Sequence, residues 1–292
     1  MSSGASGWGA WSTDPGPIVA IVLTAAAYIA CYRRAHRRTG RRYVWHLLAF
    51  TSGLAVVTVA LLSPLDEIGD SWLLSAHTLQ HVLLADIAPA LLVLGVRPPL
   101  LAHGLPLELL RALSPRARLG RLLRSRWFGP VALGSWAATQ WGWSIPVVFD
   151  SAAANPWLHA IEHLSLLGSG LLLWMVVVAP LPGQGRRAVW SRLGYLGASR
   201  AAAAVVCLPL TWLDSTLYSR YANSPRAYGI SALTDQHIAG AGMCLIEFLV
   251  FGIAFIIVFL DLLGREEQGV RLNELASQVA PGEPAREPLN VP

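Results

Sequence analysis

Long apolar runs alternate with short polar gaps along most of this 292-residue chain. A helix crossing hydrocarbon needs about 20 predominantly apolar residues. Runs that serve lie at about 18–32, 43–63, 72–95, 128–149, 157–179, 196–213 and 233–263. Proline stands where several of them stop, at Pro64, Pro98 and Pro180, as expected where a helix cannot continue. The pattern predicts an all-α integral membrane protein with seven transmembrane helices. Its parts would be a short extracytoplasmic segment over 1–17, a membrane domain over 18–263 and a cytoplasmic tail over 264–292, disordered beyond about Val279. Between the third and fourth runs, Pro106 to Arg111 reads as a short amphipathic helix on the inner surface. We find no internal repeat and no second domain.

The polar gaps are not alike. Arg33, Arg34, Arg37, Arg38, Arg41 and Arg42 fill the first. Arg97, Arg111, Arg116, Arg118, Arg121, Arg124 and Arg126 fill the third, and Arg186, Arg187 and Arg192 the fifth. The intervening gaps hold Asp66, Glu67 and Asp70, then Asp150, then Asp214 with Arg220 and Arg226. Cytoplasmic loops carry the excess of arginine. The alternation therefore places the N-terminus outside and the C-terminus in the cytoplasm, which an odd number of spans requires.

Composition agrees. Only 13% of residues are charged and 54% are hydrophobic, against about 25% charged in ordinary globular domains. A net charge of +5 raises the question of nucleic acid. The arginines sit in loops without aromatic interleaving, so that partner is excluded and the lipid bilayer is the expected one. Residues 1–17 lack the basic start and cleavage site of a signal peptide, which predicts a retained first helix. Cys31, Cys207 and Cys244 lie far apart inside apolar runs; no disulfide framework is expected, and Cys207 and Cys244 read as small buried hydrophobes.

The candidate chemistry gathers at one depth. His77 and His81 open the third run and His159, Glu162 and His163 the fifth; Asp235, Gln236 and His237 open the seventh. With the orientation above, all three groups lie near the outer face. Histidines four apart share one side of a helix, and imidazole suits zinc or copper. Glu162 would orient a ring from outside the ligand set, and Met243 would favour Cu(I) as a thioether. On the seventh run Gln236, Gly240, Met243 and Glu247 form one inward stripe, which suggests a cavity or close packing. Asp86, nine residues beyond His77, falls on the opposite side of its helix and should face a different neighbour. The tryptophans Trp72, Trp143, Trp157 and Trp212, near the ends of runs, fit an interfacial belt.

At these residues the chain resembles the CtaG-type bacterial cytochrome c oxidase assembly factors. The likeness lies in His77-Thr78-Leu79-Gln80-His81 followed by Pro89-Ala90-Leu91-Leu92-Val93-Leu94-Gly95, then Trp143-Ser144-Ile145-Pro146 and Phe149-Asp150. It continues through His159-Ala160-Ile161-Glu162-His163, Tyr218-Ser219-Arg220-Tyr221 and Asp235-Gln236-His237-Ile238-Ala239-Gly240-Ala241-Gly242-Met243. Order and spacing hold from about Ser63 to Phe259. Two positions depart: the family pattern has a histidine where Ser144 stands and a tryptophan where Cys244 stands.

The resemblance implies a seven-span, non-enzymatic factor of the bacterial plasma membrane that serves the respiratory chain. It would bind copper near the outer face and aid metallation of cytochrome c oxidase subunits. Metal ligands would be drawn from His77, His81, His159, His163, Asp235, His237 and Met243, with Gln80, Glu162 and Gln236 supporting them. Two alternatives come from the residues alone. A zinc-dependent membrane hydrolase, of the lipid amidase kind, would use three histidines with Glu162 or Asp235 as base. A bis-histidine haem protein would use His81 and His163.

Overall fold

A computed structural model of the chain describes residues 11–181, 189–226 and 228–279, whose regular structure is all helical, with no strand. Helix α1 (Pro15–Thr39) starts at Asp14, whose carboxylate accepts the Gly16 N–H, and ends at Gly40 with a positive φ of 66°. Glycine adopts that left-handed conformation at no steric cost. Helix α2 (Val44–Leu62) runs back and stops at Ser63, which accepts the Leu65 N–H and so caps α3 (Pro64–Ser71). The third apolar run is one rod in three parts: α4 (Leu74–Val82), a widened π-helical turn (Leu83–Ile87) and α5 (Ala88–Gly95).

Pro89 accounts for the widened turn. It has no N–H for the Ala85 carbonyl, and its ring crowds that oxygen. The Ala88 N–H reaches back five residues to Leu83 instead, and the freed Ala85 carbonyl turns toward a neighbouring helix. There it meets Gly170, where a Cβ would stand 2.1 Å from the oxygen.

Three short helices follow, α6 (Pro98–Gly104), α7 (Leu107–Ala112) and α8 (Arg118–Leu123). Of these, α7 stands where the amphipathic segment was expected. Helix α9 (Phe128–Trp143) covers most of the expected fourth span, and the chain bends at Ser144 and Ile145 before α10 (Pro146–Ala154). The Asn155 side chain accepts from the N–H groups of Trp157 and Leu158 and caps α11 (Pro156–Val178). Helix α12 (Val189–Trp212) is followed by the four-residue α13 (Ser219–Ala222) and by α14 (Ala232–Val279). The segment 280–292, expected to be disordered, lies outside the described residues, as do Arg186 and Arg187.

Among the described residues, six helices are long and apolar enough to cross a membrane: Pro15–Thr39, Val44–Leu62, Leu74–Gly95, Pro156–Val178, Ser191–Trp212 and Ala232–Gly264. The α4–α5 rod is the most enclosed of them, packing against α2, α11 and α14. It is the axis of the bundle. Large apolar side chains such as Leu23, Val131, Leu164, Phe248 and Ile257 point outward on the surrounding helices, as lipid contact requires. The molecule is a multi-pass membrane protein.

The two ends of the bundle differ in chemistry. At one end the Tyr28 hydroxyl donates to the Gly95 carbonyl, and Arg34 donates to the Gly104 carbonyl, so the first arginine gap meets α6. At the opposite end α3, α10 and α13 lie over the starts of α4, α11 and α14, tied by Arg220 to Asp70 at 3.1 Å and by Ser219 to Asp150 at 2.6 Å.

One expectation is corrected inside the bundle. Cys207 and Cys244 are bonded as a disulfide, with Cα atoms 5.4 Å apart. Their 37-residue separation hid the proximity that the side-by-side packing of α12 and α14 creates.

Candidate metal centre

Helix α4 begins at the carboxylate end of the bundle, and its first turns carry His77 and His81 on one side. The start of α4 is held by a residue 160 positions away. Asp235 accepts the Leu74 N–H at 2.6 Å, the Ser75 N–H at 3.2 Å and the Ser75 hydroxyl at 2.5 Å. A helix start has donors without partners, and a carboxylate satisfies them while meeting the positive end of the helix dipole. Gln80 fixes the next turn, donating to the Ala60 carbonyl at 2.8 Å and to Asp66 at 2.6 Å. Gly69 of α3 lets the two backbones close up, since a Cβ there would lie 2.9 Å from the His77 nitrogen.

Across from α4, the first turns of α11 present His159, Glu162 and His163. The four imidazoles and the carboxylate converge. Ring centroids lie 4.3 Å apart for His77 and His81, 4.2 Å for His159 and His163, 5.6 Å for His77 and His159, and 5.8 Å for His81 and His163. Nε2 of His81 stands 3.5 Å from Oε1 of Glu162. Ligand atoms of His77, His159 and Glu162 all fall within 4.8 Å of one another. Phe149 and Tyr221 wall the cluster, with ring centroids 4.9 and 6.4 Å from His77.

The donor atoms make no hydrogen bonds, although His81 and Glu162 approach each other. Both ring nitrogens of His77, Nε2 of His81, His159 and His163, and Oε1 of Glu162 are buried with no hydrogen bond. Leaving such atoms unsatisfied costs about 1–3 kcal/mol each, so a cluster of them in one place calls for something that accepts their lone pairs. A metal ion of the zinc or copper kind fits this donor set. His81 and His159 are partly exposed, whereas His77, Glu162 and His163 are buried.

The remaining sequence candidates are placed elsewhere. Asp235 is committed to the start of α4. Gln236 accepts the Leu217 N–H at 2.7 Å and donates to the Ser215 carbonyl at 3.0 Å, tying down the α12–α13 loop. His237 pairs with the Leu213 carbonyl at 3.0 Å. Met243 is buried among Leu74, Val82, Phe149 and Leu210, and with His81, Gln140 and Ser144 it lines a small cavity beneath the imidazoles. Glu162, expected only in support, stands among the ligand atoms themselves.

Sequence reasoning left Phe149, Tyr218 and Tyr221 without a role, although each belongs to a quoted motif. Tyr221 donates to the Gly69 carbonyl and Tyr218 to the Ser144 carbonyl. Burial holds both hydroxyls protonated well above the ordinary tyrosine range. They act as neutral struts. The signal for them was an aromatic Tyr-x-x-Tyr in a polar loop, which composition alone assigns to the interface.

The uncharacterised proteins Mb0105 of Mycobacterium bovis and MT0111 of Mycobacterium tuberculosis are each 27% identical over 238 residues. The match takes in 79% of this chain and 36% of theirs, so the chain spans about a third of the length of these relatives. No solved structure matches it. The sequence profile of one family, described as cytochrome c oxidase caa3 assembly factor (Caa3_CtaG), matches residues 26–265, and the chain therefore belongs to that family.

Proposed function

We propose that this protein is a non-enzymatic assembly factor of the bacterial plasma membrane that binds copper at the four-histidine cluster and delivers it to cytochrome c oxidase subunits. The observation that carries the reading is the set of buried, unpartnered donor atoms on His77, His81, His159, His163 and Glu162. Family membership supplies the oxidase. The alternation of arginine-rich and carboxylate-rich gaps supports seven spans, with α9 as the fourth, and a cluster on the outer face.

Copper is cargo in this scheme. The imidazoles supply neutral nitrogen ligands, and Glu162 offsets the charge of the ion in a medium that penalises it. The packing of Phe149 and Tyr221 keeps bulk water from the inner ligands. His81 and His159, the partly exposed pair, are where the ion would enter and leave.

Elemental analysis of detergent-purified protein is the direct test. Wild type should retain close to one copper per chain, and a His77, His81, His159, His163 quadruple-alanine variant should retain none. Equal copper in the two would overturn the assignment of the site. A deletion strain should make oxidase that lacks copper; fully metallated oxidase there would overturn the assembly role.

Zinc is the competing reading, because two histidines and a carboxylate can also ligate that ion. Retained zinc with Glu162-dependent lipid or amide turnover would replace the copper scheme with a hydrolase. The contact-distance packing of the four rings argues against a haem macrocycle between them, and a visible spectrum checks this at once.

A further inference from the structure

Below the histidine cluster, the α4–α5 rod carries a second group of polar side chains that the metal site does not use. Asp86 lies within the π-helical turn and is wholly buried. It is nine residues beyond His77, about 13 Å deeper at 1.5 Å rise per residue. Glu247 of α14 is wholly buried as well; α14 packs against the π turn, and Asp86 and Glu247 each stand one turn beyond Val82 and Met243, which share one packed cluster. Neither oxygen of either carboxyl group has a hydrogen-bond partner.

Arg200 of α12 approaches Glu247 at 3.9 Å and donates to the Cys244 carbonyl at 3.5 Å. From α9, the indole N–H of Trp136 is likewise buried without a hydrogen bond. One turn along α9, the Gln140 amide nitrogen is buried and unpartnered and lines the same small cavity as His81. From α11, the turn is met by Gly170. Among the described residues, Glu247 is thus the charged group beside Asp86, and Arg200 the one beside Glu247.

Charge balance decides what this group holds. Two carboxylates against one guanidinium leave one uncompensated negative charge in hydrocarbon, which is among the costliest arrangements a membrane protein can make. One added proton makes the group neutral: a Glu247–Arg200 ion pair beside a carboxylic acid at Asp86. A π turn at this point fits, since such turns recur at functional sites. Through Trp136 and Gln140 the group also has a polar route toward the cavity beneath His81.

We propose that Asp86, Glu247 and Arg200 form an intramembrane site that holds one exchangeable proton. The site stands independently of what the imidazoles bind.

Infrared spectroscopy of the full-length protein in lipid vesicles tests this by the carbonyl stretch of protonated carboxyl groups at neutral pH. Asp86→Asn should lose the band of one carboxyl group relative to wild type. Glu247→Gln should lose one as well, because the Arg200 charge then balances an ionised Asp86, which gives up its proton. Arg200→Gln should gain one, because both carboxyls then need protons. Should Asp86→Asn fail to fold, the opposite changes in Glu247→Gln and Arg200→Gln decide the matter. An unchanged band in Glu247→Gln and Arg200→Gln would overturn the proposal. A band in wild type that disappears when sodium replaces choline at constant pH would overturn it too, since the site would then take a metal cation.

Discussion

Asp235 and Asp66 show how one carboxylate type serves two ends at the same rim of the bundle. Asp235 accepts three hydrogen bonds from the start of α4, so Asp235→Ala leaves buried donors unmatched. Loss of a helix cap and of charged hydrogen bonds costs about 1–3 kcal/mol. The expected outcome is a lower thermal unfolding midpoint, with Asp235→Asn losing less; an unshifted midpoint for Asp235→Ala would contradict the capping role. Asp66 is in the contrary position. Burial raises its carboxyl above the ordinary range, and the Gln80 hydrogen bond opposes this only in part. A carboxyl raised on folding contributes stability that is full below its unfolded value and lost as pH rises through its folded value. Wild type should therefore be stabilised, through Asp66, on acidification below neutral pH, and Asp66→Asn should flatten that slope in a pH series of melting curves. A steeper slope in the variant would reverse the assignment. These roles were hidden in the sequence for a physical reason. Asp235-Gln236-His237 has the composition of a ligand set, and only the three-dimensional placement of α14 against α4 and the α12–α13 loop reveals that all three residues are engaged with backbone. The histidine pairs were legible because a four-residue spacing fixes their shared side wherever the helix lies.

At the scale of elements, the widened turn on the α4–α5 rod and the glycine opposite it belong together. Pro89 frees the Ala85 carbonyl, and Gly170 is the residue that lets this carbonyl approach α11. Gly170→Ala sets a methyl group 2.1 Å from the carbonyl oxygen, so α11 must move away from the rod. Overpacking of this kind costs about 1–3 kcal/mol. Because α11 carries His159, Glu162 and His163, the same shift should weaken metal retention with no ligand altered. Both effects are expected together in Gly170→Ala, by melting curves and elemental analysis, and normal retention in the variant would separate the glycine from the site. Six of the long helices were readable from apolar length, because lipid imposes a length that soluble cores do not. The break at Ser144 and Ile145 was not, as an apolar run continues through it and the bend arises where Pro146 starts a new helix. The Cys207–Cys244 bond was unreadable for the reason given by the packing of α12 on α14: adjacency across helices leaves no trace in spacing along the chain.

Across the whole molecule, the arginine pattern argues that the proposed site opens on the outer face. The first and third arginine gaps meet at one end of the bundle through Arg34 and α6, while the four histidines sit at the other, beneath α3, α10 and α13. Cytoplasmic loops gather arginine, so the histidine end should face out. Helix α9, with 16 residues, spans about 24 Å at 1.5 Å per residue, somewhat short of a typical hydrocarbon core. Its crossing is therefore the step on which the seven-span count depends. Single cysteines at Ala117 and Asn223, introduced with Cys31 replaced by serine, place the two ends. A membrane-impermeant maleimide applied to intact spheroplasts should label the Asn223→Cys protein and leave the Ala117→Cys protein unlabelled until the membrane is opened. A third cysteine at Ser151, just past α9, should behave like Asn223→Cys. Protection of Ser151→Cys alone would mean that α9 does not cross, and labelling of Ala117→Cys in intact cells would turn the whole molecule over and put the histidines on the cytoplasmic side.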